Sequence, residues 1–449
     1  MRRWLALACL AAWHLVLRGP VSAQGSIDTS HHVPLEKHLT VQWKKELWSQ
    51  ERKVYRGREL LTIGMPCGGI AAGQLYVRGD GTLAGWWIAN NAYNTGYGAD
   101  RVRNFPTALG PWKTCYQTFR PPSYIKQGFA VTMEQGGRRR TMRLDEKGFD
   151  GISFTGEYPI ATINYASASA PLTVEEEVFS PFIPLDAKES ATPGVIMRFR
   201  LRNVSAAPVK ASFTGWLQNL VCLDIAGEIH AESRNRIIRK DGMTSVFMDL
   251  TGAADSLRRH PYYGNVALSI LDANGYGNAD FNDSVDGPRQ DEFTKRTGDT
   301  LVGAAGTPVG EPIVLAPGES RDVVFLLTWY FPNRPAYYRG SNTADPVAPE
   351  NWTKALPVRG VPILGNMYAN WYGSALDVAL WLKNELPRLS RETHLFHDTW
   401  YLRGSLPYWL KQRLLMPVST LATETCQWWA DGKFWAWEGV GSCVGTCTH

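Results

Sequence analysis

The sequence predicts a multidomain β + α protein, a β-sandwich followed by a helical region, and three observations carry that prediction. Val195, Met197, Phe199 and Leu201 alternate with Ile196, Arg198, Arg200 and Arg202. One face of that segment is apolar and the other largely basic, the pattern of a half-buried strand. Runs of the same kind crowd the chain between about residues 60 and 330, with Gly, Pro, Asn and Asp clusters between many of them. Strands at this density without intervening helical patterns argue for packed sheets. Farther on the period changes: Ala375, Val378, Ala379 and Leu382 follow one face of a helix.

Taken in order, the chain opens on the cationic Met1-Arg2-Arg3, an apolar stretch from Trp4 to Leu17, and Val21-Ser22-Ala23, whose small residues suit a signal peptidase. The expectation is a signal peptide over residues 1–23, cleaved after Ala23, and a secreted or periplasmic mature protein. A membrane anchor fits less well, because the apolar run is shorter than the ~20 residues that span a bilayer. Residues 24–59 read as an N-terminal extension and 60–333 as the sandwich, with strand character at Ile152 to Ala166, Leu172 to Phe179, Val246 to Leu250, Val266 to Leu271 and Val323 to Tyr330. Asn203 to Pro208 is a turn that would join two strands as a hairpin. Residues 334–365 read as a linker and 366–449 as the helical region. There Pro387 is expected to end the first helix, Ser405 and Pro407 to begin a second, Pro417 to interrupt it, and Ser419 to Trp429 to restart it.

Composition narrows the function. A net charge of +5 is modest, and Arg138-Arg139-Arg140 sits beside Gly136-Gly137 as a solvated turn, so no nucleic-acid partner is expected. Without the signal, six cysteines remain: Cys67, Cys115, Cys222, Cys426, Cys443 and Cys447. That number permits disulfides in an exported protein without requiring them. Cys443, Cys447 and His449 fall one ligand short of a structural zinc site and lack paired CxxC spacing, so no metal and no cofactor is expected. The 18 Trp and 18 Tyr suit large cores and suit equally a protein that stacks indoles on sugars.

Two segments could carry chemistry. Gly64 to Gly73 is rich in glycine but lacks a Gly-Lys-Ser/Thr ending and runs into strand-like Gln74 to Val77, so tight packing is expected there rather than a phosphate cradle. In Asp431-Gly432-Lys433-Phe434-Trp435-Ala436-Trp437-Glu438-Gly439-Val440-Gly441, Glu438 follows aromatic residues and precedes two glycines. A carboxylate walled by aromatics with close backbone approach suits attack on an anomeric carbon, although a lone Glu is also a common salt-bridge partner.

Phe434 to Gly439 resembles the segment that bears the nucleophilic glutamate of glycoside hydrolase family 116, the group of the bile-acid β-glucosidases. The resemblance extends through Gly64 to Ile70, Gly156-Glu157-Tyr158-Pro159, Phe179 to Pro184, and Leu406-Pro407 to Leu421, in order over roughly residues 60 to 449. It implies an N-terminal β-sandwich on the first part of an (α/α)6 barrel, retaining hydrolysis of β-linked glycosides, and Glu438 as the nucleophile. It also implies a carbohydrate or glycoconjugate substrate. His449 stands where glucosidase members carry a sugar-binding aspartate, which makes it the candidate substrate-binding residue and departs from the glucose pattern. The region that would hold the aspartic acid/base lies beyond His449, so the chain is expected to be an incomplete piece and inactive by itself. A non-catalytic carbohydrate-binding or structural protein is the alternative. A lyase or phosphorylase built on a similar sandwich and helical toroid is a third reading.

Overall fold

The structure, a computed structural model, describes residues 38–90, 125–223, 225, 229–279, 305–335, 362–423 and 426–436. It is mostly β-sheet with few helices. Residues to Ser49 form one compact unit and Gln50 onward a second. In the first, the short helix Val41–Glu46 is capped by Thr40, whose hydroxyl accepts from the Trp43 amide at 3.0 Å. The expected signal peptide and most of the expected linker lie outside the described residues.

The second unit is built on two large sheets. The first has nine strands: β1 (Tyr55–Arg56), β7 (Gly151–Glu157), β8 (Ile160–Ala166), β9 (Leu172–Phe179), β10 (Gly194–Asn203), β12 (Glu232–Lys240), β13 (Met243–Thr251), β14 (Asn265–Ile270) and β18 (Ser320–Tyr330). Their spatial order is β1-β7-β8-β9-β10-β18-β14-β13-β12. The second sheet runs β15 (Tyr276–Asn278), β16 (Ala305–Val309), β11 (Val209–Gln218), β5 (Gln127–Gln135), β6 (Arg138–Arg143), with β17 (Ile313–Leu315) also on β11. A small third sheet holds β2 (Gly64–Cys67), β3 (Gln74–Arg78) and β4 (Leu83–Trp87). The long strand runs expected from alternation are all present, and the glycine-rich segment passes into strand β3 as expected. The hairpin expected across Asn203 to Pro208 is not formed: that turn carries the chain from β10 in the first sheet to β11 in the second, where each pairs with other strands.

The two large sheets meet through a quartet of rings. Phe199 of β10 and Phe325 of β18 come from the first sheet, and Phe129 of β5 and Phe213 of β11 from the second. Their centroids lie 4.5 Å apart for Phe199–Phe213, 4.8 Å for Phe129–Phe199 and 5.1 Å for Phe129–Phe325. Tilted and edge-on pairs at such distances add to the gain from burying the rings. Phe199→Ala is expected to cost about 3–5 kcal/mol, as large-to-small changes in tight cores do. Urea unfolding measures it, and a loss under about 1 kcal/mol would mean the quartet does not join the sheets.

β10 differs from its expected two-faced pattern. Val195, Met197, Phe199 and Leu201 enter the sandwich core as predicted, but Ile196 on the opposite face is also fully buried. It lies in a second apolar cluster with Ile160, Phe179, Leu326, Val378, Ala379 and Leu382, where a long helix, Ala375–Tyr401, covers the outer face of the first sheet. The arginines of that face are matched by acidic neighbours: Arg198 with Glu177 at 3.2 Å and Arg200 with Asp322 at 2.9 Å.

The long helix corrects one expectation. Its start is where the periodicity placed it, with the Ser374 side chain accepting from the Asp377 amide at 3.1 Å. Pro387 does not end it; the helix continues through Pro387 to Tyr401. An internal proline removes one amide and presses on the carbonyl four residues back, costing ~3 kcal/mol. Here both flanks are anchored to the sheet side: apolar packing holds the first half, and polar contacts such as Arg388 to Glu189 (2.6 and 2.8 Å) hold the second. The second helix, Tyr408–Leu415, follows Pro407 as expected and stops before Pro417. The expected helical restart is not formed: Val418–Ala422 is a 3₁₀ turn, and Cys426–Trp428 (β19) pairs with Phe434–Ala436 (β20). Asp431-Gly432 supplies the turn chemistry that favours a hairpin there.

Candidate functional site

The hairpin β19–β20 leads directly into the segment singled out for chemistry. Cys426 faces Ala436, Gln427 faces Trp435 and Trp428 faces Phe434. In its turn Gly432 has φ +90°, and its amide donates to the Trp429 carbonyl at 2.9 Å. The Asp431 carboxylate accepts from the Lys433 amide at 3.0 Å, the local bond that makes Asp a turn residue.

The hairpin is fastened from below. The Ala430 amide donates to the Gly365 carbonyl at 3.1 Å, and the Asn370 side-chain amide donates to the Ala430 carbonyl at 2.8 Å. Indoles surround it: Trp429 stacks on Trp435 at 5.1 Å, and Trp428 meets Trp371 edge-on at 5.5 Å. The Lys188 ammonium lies 5.8 Å from the Trp371 ring. The Gln427 side chain, buried, accepts from Trp429 Nε1 at 3.1 Å. Half-buried indoles with polar groups between them can stack on apolar faces and bond hydroxyls at the same time.

Glu438, the candidate nucleophile, and His449, the candidate sugar ligand, both lie outside the described residues, as do Cys115, Cys443 and Cys447. The last described residue before Glu438 is Ala436. Cys67, Cys222 and Cys426 are buried, and burial pushes the Cys67 thiol up to about 12, which leaves it an unreactive thiol. Among the described residues no group of three or more His, Cys, Asp or Glu is placed to hold a metal ion.

The other motifs converge on one joint. In the glycine-rich segment, the Gly68 amide donates to Ser180 Oγ at 2.8 Å, the Ile70 amide to the Ser190 carbonyl at 2.7 Å, the Ala71 amide to the Leu421 carbonyl at 2.8 Å, and the Ala72 amide to the Gly69 carbonyl at 3.1 Å. Those donors are spent within the protein, so the loop is no phosphate cradle, in line with the packing role expected of it. Gly69 is required there: a Cβ would lie 2.4 Å from the Thr192 carbonyl oxygen. The indole against the loop is Trp329, whose Nε1 donates to the Ala72 carbonyl at 2.8 Å. The loop thus ties β9 and the segment before β10 to the 3₁₀ turn that precedes the hairpin.

A polar cluster under the long helix was not foreseen. Glu157, fully buried at the end of β7, is gripped by Nε of Arg52 (2.9 Å to Oε1) and by a terminal nitrogen of the same guanidinium. Glu157 also lies 2.9 Å from His397 Nε2. Although burial opposes its charge, the bonds from His397 and Arg52 hold the carboxyl below the ordinary range. A second pair, Glu177 Oε2 with His394 Nε2 at 2.9 Å, lies on the same face of the helix. Glu157 falls within a motif noted for its resemblance, yet nothing local marks it: a Glu on the helix-facing side of a strand and two histidines three apart on a helix were the only signals.

A family model described as "beta-glucosidase 2, glycosyl-hydrolase family 116 N-term" matches residues 64–384. No curated protein matches the sequence. Among solved structures, a polysaccharide lyase is 11% identical with a TM-score of 0.23, the similarity covering 46% of this chain and 26% of that one. A protein described as a kojibiose phosphorylase from the human microbiome is 7% identical with a TM-score of 0.38, covering 79% of this chain and 38% of that one. The family GH36 α-galactosidase AgaA of Geobacillus stearothermophilus is 12% identical with a TM-score of 0.27, covering 60% of this chain and 40% of that one. This chain therefore spans well under half the length of each of these proteins.

Proposed function

The chain belongs to the family of glycoside hydrolase family 116 N-terminal domains, and we propose that it is part of an exported retaining hydrolase of β-linked glycosides with Glu438 as the nucleophile. The observation that carries the reading is the family match over residues 64–384, joined to an aromatic hairpin that ends two residues before Glu438. In this reading residues 60–333 are the family's sandwich and 366–449 the opening of an (α/α)6 barrel. The long helix and the helix Tyr408–Leu415 would be its first two members. The substrate is a carbohydrate or glycoconjugate.

In retaining hydrolysis one carboxylate attacks the anomeric carbon, and a second carboxyl about 5 Å away protonates the leaving oxygen and later activates water. Glu438 takes the first role. No residue of this chain is assigned the second, so the 449-residue chain alone is expected to hydrolyse aryl β-glycosides little or not at all. Labelling a longer, active form with an activated 2-fluoroglycoside, followed by peptide mapping, tests the assignment. The label is expected on Glu438. A label on another carboxylate removes it from this role, and sugar binding without any turnover in the longest form would favour the non-catalytic carbohydrate-binding alternative.

Export rests on the cationic, apolar and small-residue order of residues 1–23. Mature protein from the medium or periplasm is expected to begin at Gln24. Soluble protein that keeps Met1 in the cytoplasm would refute export.

A further inference from the structure

The long helix is docked by two different chemistries on either side of Pro387. Before it, Val378, Ala379 and Leu382 are fully buried against the sheet. After it, Leu389 is the one large aliphatic side chain that is fully buried, the Phe396 ring packs on Phe182 at 5.1 Å, and polar contacts pass through Arg388, Ser390, Thr393, His394 and His397. Proline leaves the two halves without the backbone hydrogen bond that an N–H would have made at that point.

The two histidines share an unusual arrangement. His394 Nδ1 lies 2.7 Å from the Ser390 carbonyl oxygen while its Nε2 lies 2.9 Å from Glu177 Oε2. His397 Nδ1 lies 2.8 Å from Asp398 Oδ1 while its Nε2 lies 2.9 Å from Glu157 Oε2. A carbonyl and an ionised carboxylate only accept, and a neutral imidazole has one N–H to donate. Both nitrogens of the His394 ring therefore carry protons when its two contacts are made. Loss of either proton turns one donor into a lone pair facing another lone pair.

We propose that residues 388–401 form a proton-operated clasp, held on the sheet while His394 is an imidazolium ion and loosened when it gives up its proton. The surrounding charges decide the direction. Around His394 stand Glu177 of β9, which favours the cation, and Arg198 of β10, which opposes it and itself donates to Ser390 Oγ at 3.0 Å. The Phe179 ring stands edge-on to the imidazole at 5.6 Å. Around His397 stand Glu157 of β7, Asp398 and Tyr401 of its own helix, Arg52 sharing the Glu157 carboxylate, and Tyr408 of the next helix beside that same carboxylate. The buried Lys411 ammonium is one step farther, donating to the Tyr401 carbonyl at 2.8 Å.

The window follows from the signs. The bond to Glu177 raises the His394 pKa above its ordinary 6.5, so this contribution is complete below 6.5 and is lost as pH climbs through the raised value. Glu157 and Glu177 are held below the ordinary 4.5, so their contribution is lost only as pH falls past that lowered range. The clasp is tightest in mildly acidic solution and slackens toward alkaline pH.

Amide hydrogen exchange on the whole chain, corrected for intrinsic rates, reads the clasp directly. Between pH 5.5 and pH 8, opening of residues 388–401 is expected to rise at least about tenfold, while residues 375–386 change little. In a His394→Gln variant the second half is expected to open equally at both pH values. Ring-nitrogen NMR of the unaltered protein gives a test independent of whether that variant folds: at pH 6 both nitrogens of the His394 ring are expected to show the imidazolium signature. A neutral His394 ring at pH 6, equal opening at both pH values in the unaltered chain, or a pH dependence that survives in the Gln variant would each overturn the proposal.

Discussion

In a longer form that cleaves an aryl β-glycoside, Glu438→Gln is expected to lower turnover on the order of 10⁴-fold or more while leaving the free energy of unfolding within about 0.5 kcal/mol of the parent. The amide matches the carboxylate in size, so much of the sugar contact is expected to survive. It cannot attack the anomeric carbon, so no covalent intermediate forms. The smaller Glu438→Ala leaves room for azide, which would attack from the vacated side and expel the aglycone as its alcohol, giving a glycosyl azide of inverted configuration. Full activity in the Gln variant, or no azide product from an inactive Ala variant, would argue that another residue is the nucleophile.

Glu176→Gln is expected to flatten a pH dependence of stability. Glu176 is fully buried in the first sheet, and burial, assisted by nearby Asp80, pushes its pKa up to about 8. The Tyr165 hydroxyl lies 2.7 Å from Glu176 Oε2 and 3.1 Å from the Asp80 carbonyl oxygen. It has one proton for two acceptors. A protonated Glu176 resolves this by donating to the phenol oxygen, freeing Tyr165 to donate to the carbonyl. The folded state thus holds a proton that the unfolded chain releases near 4.5. Stability is greatest below 4.5 and falls as pH rises toward 8, by roughly 3 kcal/mol between pH 5 and 7. A Gln amide donates to the same phenol oxygen at every pH, so the variant should gain on the parent steadily over that range in urea titrations. Parallel profiles for the two proteins would mean that Glu176 is ionised in the fold.

The sandwich was legible because alternation is local: the residues that set Val195 to Arg202 as a strand lie within it. Which sheet received each strand was not, since the Phe199–Phe213 contact depends on the arrangement of the two sheets. Pro387 misled for a physical reason. Its cost is intrinsic and visible in sequence, whereas the contacts that offset it join residues far apart, 199 positions for Arg388 and Glu189. The histidine clasp was hidden in the same way, with partners 217 and 240 positions apart. The hairpin before Glu438 could have been read from Asp431-Gly432, a turn signal that the apolar spacing of Ser419 to Trp429 masked. Glu438 and His449 themselves rest on resemblance.

The joint between the glycine-rich loop and the rest of the protein is written almost wholly in main-chain atoms: Ile70 to Ser190, Ala71 to Leu421, Ala72 to Gly69. Side chains at Ser190 and Leu421 can therefore be exchanged without erasing those bonds. Gly69 cannot, because any Cβ there would strike the Thr192 carbonyl. Two homologues could share few side chains around this joint and still superimpose through it. Their common ancestry would then be recorded in an invariant glycine and a path of peptide groups rather than in a recognisable string of letters.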